Sequence, residues 1–149
     1  MRWTTMAPYG IMPVPNNETR PYWEGAKEGK LMLQRCQSCG YYNHPPVYLC
    51  GGCCDREARL AFEQVSGKGT IYTWYMCHDT SINGYEDKVP YPVILVEINE
   101  QPGLTLMSNL FNCEVGELGE GIEVGAPVEV VFDKASDDIY VPQWQPTRR

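Results

Sequence analysis

Hydrophobic and polar positions alternate most cleanly in the second half of the chain. From Tyr91 to Ile98, Val93 and Leu95 fall on one side and Ile94, Val96 and Ile98 on the other, and Val128, Val130 and Phe132 keep the same two-residue period. Successive side chains of a strand point to opposite faces, so both stretches predict strands. Thr70 to Met76, rich in β-branched and aromatic residues, predicts a third, with Ile71, Thr73 and Tyr75 on one face and Tyr72, Trp74 and Met76 on the other. Gly67 and Gly69 just before it suit a bulged or sharply bent entry. Leu104 to Phe111 follows the turn Gln101-Pro102-Gly103 as a hairpin partner, and Ile139 to Trp144 completes the set. Polar loops separate them, one over 77–90 containing Asn83-Gly84 and an acidic, Gly-rich one over 114–125. Five such strands form a small barrel more naturally than an open sheet, because closure removes sticky edges. The pattern therefore predicts a mainly β chain with a five-stranded OB-fold barrel over residues 58–149.

The first third reads differently. Residues 1–18 hold Pro8, Pro13, Pro15, Asn16 and Asn17 without any period, and predict an irregular arm that is either unstructured or ordered against a partner. Residues 19–33 predict a short helix and a lead-in strand: Thr19 to cap, Pro21 in the first turn, Gly29 to stop, then Leu31-Met32-Leu33. Tyr22, Trp23 and Ala26 share one face of that helix, and two large aromatics on so short an element must be covered, by the rest of the chain or by another protein.

Residues 34–57 carry the densest chemistry. Cys36-Gln37-Ser38-Cys39 and Cys50-Gly51-Gly52-Cys53 are two C-x2-C knuckles. Two residues between thiols turn the backbone so that both sulfurs face one point, and two such turns complete a tetrahedron around one ion. Soft thiolates in a closed set favour zinc, with iron the main competitor, and four protein ligands leave no open position for substrate or water. The competing reading is a pair of disulfides. His44 can be read as a fifth ligand or catalytic base, or as a loop histidine hydrogen-bonded to backbone, which the completed four-Cys set favours. Cys54 reads as a spare thiol, yet its position beside Cys53 leaves a choice of fourth ligand.

Composition narrows the classes. A hydrophobic share of 43% supports a real core and a charged share of 21% argues against wholesale disorder. Seven cysteines, an odd number, suit a metal protein of a reducing compartment better than a disulfide framework. No basic region leads into an apolar stretch and a cleavage site at the N-terminus, and no apolar run is long enough to cross a bilayer, so a cytoplasmic, non-membrane protein is expected. Residues 1–75 carry eight basic and six acidic groups, residues 76–149 four and thirteen. A phosphate-backbone binder needs a positive footprint, and the acidic second half lacks one, so nucleic-acid binding is disfavoured. The alternative that survives composition is a single-stranded nucleic-acid module using Tyr72, Trp74 and Tyr75 as stacking platforms. No serine elbow, phosphate loop or dinucleotide fingerprint is present. Cys77 and His78 are adjacent, which on a strand sends them to opposite faces. Asp79, Glu86 and Asp87 read as a solvated loop, and no catalytic residue is assigned.

The order Pro21-Tyr22-Trp23-Glu24-Gly25, Gly29-Lys30-Leu31, Cys-x-x-Cys-Gly, Pro45-Pro46, Cys-x-x-Cys, then Ser66-Gly67-Lys68-Gly69-Thr70-Ile71 and Pro90-Tyr91-Pro92-Val93-Ile94-Leu95-Val96-Glu97, resembles one family. It is that of the rubredoxin-like zinc-ribbon plus OB-fold proteins of acyl-CoA metabolism, formerly a domain of unknown function. The resemblance runs from about residue 19 to the end, and only the cysteines carry over position by position, as Cys36, Cys39, Cys50 and Cys53. It implies a structural zinc and a non-catalytic accessory subunit that bridges a thiolase-like partner, aids its folding or completes a channel for CoA and its acyl group. Catalytic groups would then belong to the partner, a thiolase, a lipid-transfer-protein-type aldolase or an acyltransferase. An acidic barrel repels the phosphates of CoA, so Lys27, Lys30, Arg35, Arg56, Arg59, Lys68 or the partner would have to meet them.

Overall fold

The computed structural model describes residues 1–147. One helix, α1 (Arg20–Lys27), precedes eight strands: β1 (Met32–Cys36), β2 (Tyr42–Asn43), β3 (Leu60–Gln64), β4 (Lys68–Cys77), β5 (Tyr91–Ile98), β6 (Thr105–Asn109), β7 (Pro127–Lys134) and β8 (Tyr140–Pro146). They form two antiparallel sheets, β2-β1-β3 and β6-β5-β4-β7-β8. The outer strands of the larger sheet meet where Leu110 bridges Trp144 in parallel, with the Phe111 amide donating to the Trp144 carbonyl at 2.7 Å. The five-stranded barrel expected from the hydrophobic pattern is thus present and closed.

The closing seam is made largely by side chains. Ser108 Oγ donates to the Pro142 carbonyl at 2.6 Å, and the Asn109 amide donates to Gln143 Oε1 at 2.7 Å. Buried Gln143 thereby supplies the acceptor that a neighbouring strand would otherwise provide.

Alternation along β5 holds: Ile94, Val96 and Ile98 are fully buried in the barrel, joined by Leu106, Val128 and Trp144. Along β4 it breaks. A β-bulge between Ile71 and Thr73 inserts one residue, so Ile71 joins Trp74 and Met76 on the core side and Tyr72 is pushed into solvent. The expected grouping of Ile71 with Thr73 and Tyr75 fails for that reason, since one extra residue flips every later side chain. The bend was anticipated at Gly67 and Gly69. Gly69 serves a different need, because a Cβ there would lie 2.3 Å from the Glu97 carbonyl oxygen of the paired strand.

β3 lies on the ribbon side. Its five residues pair with β1 from Met32↔Gln64 to Cys36↔Leu60, so β3 completes the smaller sheet and the five-stranded sheet begins at β4. Ribbon and barrel nevertheless share one interior, since Leu31, Leu33 and Val65 belong to the same buried cluster as Ile94 and Trp144.

Eight residues are too few for a helix to persist alone, isolated helices below about 12–15 residues being marginal. Packing holds α1: Ala26 is buried, and Tyr22 packs against the main core, edge-on to Trp23 at 5.0 Å. The chain itself thus covers Tyr22. Thr19 occupies the N-cap position without a side-chain bond to the helix, because its hydroxyl is engaged with the Asn16 amide at 3.1 Å and Asn16 Oδ1 at 3.0 Å. At the other end Gly29, at φ 73°, lets the Lys30 amide reach the Gly25 carbonyl (2.8 Å) and its own amide reach Ala26 (3.0 Å). This is a Schellman closure. Gly29→Ala meets no atom within 4 Å, so its cost is that of the left-handed backbone alone, an expected destabilisation of about 1–2 kcal/mol read from the urea midpoint.

The N-terminal arm has no helix or named strand but is not free. Arg2 bridges Glu114, the Asn112 amide donates to the Trp3 carbonyl at 2.7 Å, and Met6 is buried against Cys77, Tyr91, Val93 and Phe111. Asp133 of β7 receives Thr5 Oγ1 (2.7 Å), the Met6 amide (2.8 Å) and Tyr9 Oη (2.6 Å). Burial, then the bond to Asp133, pushes the Tyr9 phenol far above its ordinary range, so it remains a donor. On the far side Lys88 Nζ donates to the Pro8 carbonyl and, at 2.8 Å, to that of Gly84. The first nine residues of the arm are therefore ordered against the barrel of the same chain.

Candidate metal centre

Cys36 ends β1, and the first knuckle closes when the Gly40 amide bonds the Cys36 carbonyl at 2.9 Å. The chain returns as β2, registered Arg35↔Tyr42 and Gln34↔Asn43. In the second knuckle the Cys54 amide bonds the Cys50 carbonyl (3.0 Å) and the Gly52 amide points at Cys50 Sγ (3.3 Å).

The sulfurs of Cys36, Cys39, Cys50 and Cys53 all lie within 4.8 Å of one another. Cys36–Cys53 is 3.8 Å and Cys39–Cys50 3.6 Å. A tetrahedral ion with Zn–S bonds of about 2.3 Å has sulfur–sulfur edges of about 3.8 Å, whereas a disulfide needs about 2.05 Å. The spacing suits an ion and not two disulfides, and all seven cysteines are free thiols. Exposed Cys54, at φ 53°, lies outside the cluster.

Backbone amides polarise the set. The Cys39 and Ser38 N–H groups pull the Cys36 thiol down, and those of Cys53 and Gly52 bring Cys50 to about 6. At Cys39 the Tyr41 N–H favours the thiolate, but burial together with Cys36 and Cys50 outweighs it and holds the thiol up. At Cys53 the Asp55 N–H is outweighed in the same way, by burial and the other three thiols, to about 12. Four like charges crowd one point, and a dication is the partner that allows all of them to ionise.

Three amide side chains brace this small sheet. Gln34 exchanges two 3.0 Å bonds with the Val47 backbone, and Gln101 from the β5–β6 turn pairs with the Tyr42 amide (2.8 Å) and carbonyl (3.0 Å). Asn43 Oδ1 receives the Gly51 amide at 3.0 Å. Arg35 adds a bond to the Gly40 carbonyl and one to Glu63, each 3.0 Å, with its guanidinium over the Tyr42 ring. Sequence reading missed the three amides, for none lies in a motif or follows a period.

His44 is outside the thiol cluster. It stacks on Tyr22, ring centroids 5.7 Å apart, and burial lowers its pKa, as suits a neutral packed imidazole. Cys77 is buried at the end of β4 and His78 is exposed. Of the six cations singled out above, Lys27 is paired with Asp138, Lys30 with Glu28 and Arg35 with Glu63; among the described residues Arg56, Arg59 and Lys68 have no carboxylate within 4.0 Å. No helix among the described residues is long and apolar enough to cross a membrane.

A four-thiol ribbon sharing its core with a closed five-stranded barrel defines the class, a zinc-ribbon and OB-fold protein. Family models agree: residues 23–58 match the ChsH2 rubredoxin-like zinc ribbon domain and residues 62–133 the ChsH2 C-terminal OB-fold domain. A DUF35 domain-containing scaffold protein of Methanothermobacter thermautotrophicus is 32% identical over 108 residues, 72% of this chain and 75% of that protein. The chain belongs to the ChsH2/DUF35 family. A probable enoyl-CoA hydratase alpha subunit of Thermomonospora curvata is 31% identical over 147 residues, 96% of this chain but 42% of that protein, so the chain spans less than half of that relative. Among solved structures, a chain of the Ltp2-ChsH2(DUF35) aldolase superposes with a TM-score of 0.73 at 30% identity, covering 91% of this chain and 98% of that one.

Proposed function

We propose that this chain is a non-catalytic subunit of a thiolase-superfamily complex acting on acyl-CoA, with one structural zinc held by Cys36, Cys39, Cys50 and Cys53. The likeness to a chain of the Ltp2-ChsH2(DUF35) aldolase, over nearly the full length of both, is the observation that carries the reading. The names of the relatives fit it: scaffold proteins on one side, hydratase alpha subunits on the other. Zinc in a closed four-sulfur set adds rigidity rather than chemistry, since it offers no open coordination position. Its role here is to lock the two knuckles and the β2-β1-β3 sheet to one side of the barrel. For the phosphates of CoA, Arg56, Arg59 and Lys68, without a carboxylate partner among the described residues, are better placed electrostatically than Lys30 and Arg35, whose charge Glu28 and Glu63 already offset.

Affinity capture of the tagged chain from its native host, with mass spectrometry of the retained proteins, tests the proposal. Recovery in near-equal amounts of a thiolase-superfamily protein, with acyl-CoA turnover only in the complex, is the expected result. Turnover by the chain alone, or recovery of nucleic acid in place of a protein, would overturn it.

A further inference from the structure

Resting on the zinc reading above, we propose that Asn43 is a positioning residue for the metal centre, holding the second knuckle with its carbonyl end and supporting the thiolate charge with its donor end. Asn43 is 5% exposed and stands on β2, the strand that leaves the first knuckle. Its Oδ1 takes the amide of Gly51, which lies between the two cysteines of the second knuckle. One side chain therefore ties the two halves of the ligand set together over a sequence separation of eight.

The other end of the amide carries the argument further. Asn43 Nδ2 is fully buried and has no hydrogen-bond partner among the described residues. A buried donor without an acceptor costs about 1–3 kcal/mol, and Gln34 and Gln101, which brace the same sheet, each use both ends of their amides. What distinguishes Asn43 is the knuckle it holds. A set of four thiolates on a dication keeps net negative charge, which favours N–H dipoles in its surroundings, and Asn43 Nδ2, which hydrogen-bonds no sulfur, would lend that support through space.

Two variants of the full chain separate this role from general support of the ribbon. Asn43→Leu removes both ends of the amide, and Asn43→Asp keeps an acceptor for Gly51 while losing the donor. Zinc affinity is read by competition with a chromophoric chelator, and the sulfur-to-metal charge-transfer bands are read after loading with Co(II). Both variants are expected to bind zinc about 10–100-fold more weakly than wild type and to shift the Co(II) bands. Gln101→Ala, which loosens the outer edge of β2 without touching a knuckle, should change affinity by less than about threefold. Wild-type affinity in Asn43→Leu, or an equal loss in Gln101→Ala, would overturn the role of Asn43; wild-type affinity and bands in Asn43→Asp alone would overturn the part given to its donor end. A wild-type chain that takes up no zinc would instead overturn the metal reading on which the role rests.

Discussion

Replacing Cys50 with Ser is expected to abolish stoichiometric zinc, to loosen both knuckles and to lower the stability of the whole chain. Cys50 is 1% exposed, its sulfur lies 3.6 Å from that of Cys39, and two knuckle amides already favour its thiolate. A hydroxyl in its place offers a poorer ligand and leaves three thiols around a weakened site. Structural zinc supplies about 10–16 kcal/mol of binding free energy in small modules, as much as the about 5–15 kcal/mol by which a whole domain is stable. The ribbon sheet has strands of five, two and five residues and cannot replace that contribution by burial. Metal analysis of the purified chain should fall from one zinc to near none, and the thermal midpoint of the whole chain should drop, since Leu31 and Leu33 tie the ribbon side into the barrel core. Cys54→Ser is the matched control and should retain zinc, since Cys54 lies outside the cluster. Loss of zinc in Cys54→Ser with retention in Cys53→Ser would move the fourth ligand by one residue.

Asp133→Ala is expected to cost about 3 kcal/mol or more, a loss on the scale of truncating a large core side chain. The carboxylate receives Thr5 Oγ1, the Met6 amide and Tyr9 Oη, and Tyr9 Oη in turn accepts from Gln143 Nε2 at 3.0 Å. Hydrogen bonds to a charged group contribute about 1.5–3 kcal/mol each, and donors left buried without an acceptor add their own penalty. Alanine would undock the arm, expose Met6 and slacken the Gln143 contacts at the β6–β8 seam. Asn at the same position keeps one acceptor and should lose roughly half as much. Urea unfolding measures the difference, and hydrogen exchange at the Met6 amide reports where it falls: rapid exchange in Asp133→Ala with the β5 amides still protected is the expected pattern.

The elements that hydrophobic period alone identifies are those whose two faces meet different surroundings. β5 and β7 were legible because Ile94, Val96 and Val128 face the main core while Val93, Leu95, Glu97 and Glu129 face other surroundings. The knuckles were legible because coordination chemistry fixes residue type and spacing together. Illegible were the features set by contacts across long stretches of chain. The bulge at Tyr72 depends on how β4 must bend between β5 and β7. The allegiance of β3 depends on β1, and its own five residues, none fully buried, carry no face signal. The arm is held by bonds spanning 124 to 128 residues to one aspartate, and prolines without a period gave no sign of it. Of the candidate site, the four sulfurs could be read off and the amides of Gln34, Asn43 and Gln101 could not, because a bracing amide matches a backbone geometry that exists only once the chain has folded.

Leu31 and Leu33 of the ribbon side, packed into the same interior as Ile94 and Trp144, leave the protein without a hinge. Two modules strung on a linker must each be oriented when something binds across both, and that ordering lowers affinity. Here the orientation is settled during folding by shared apolar burial. A surface on the ribbon and a surface on the barrel keep a constant bearing, and a molecule that touches both meets a single rigid template.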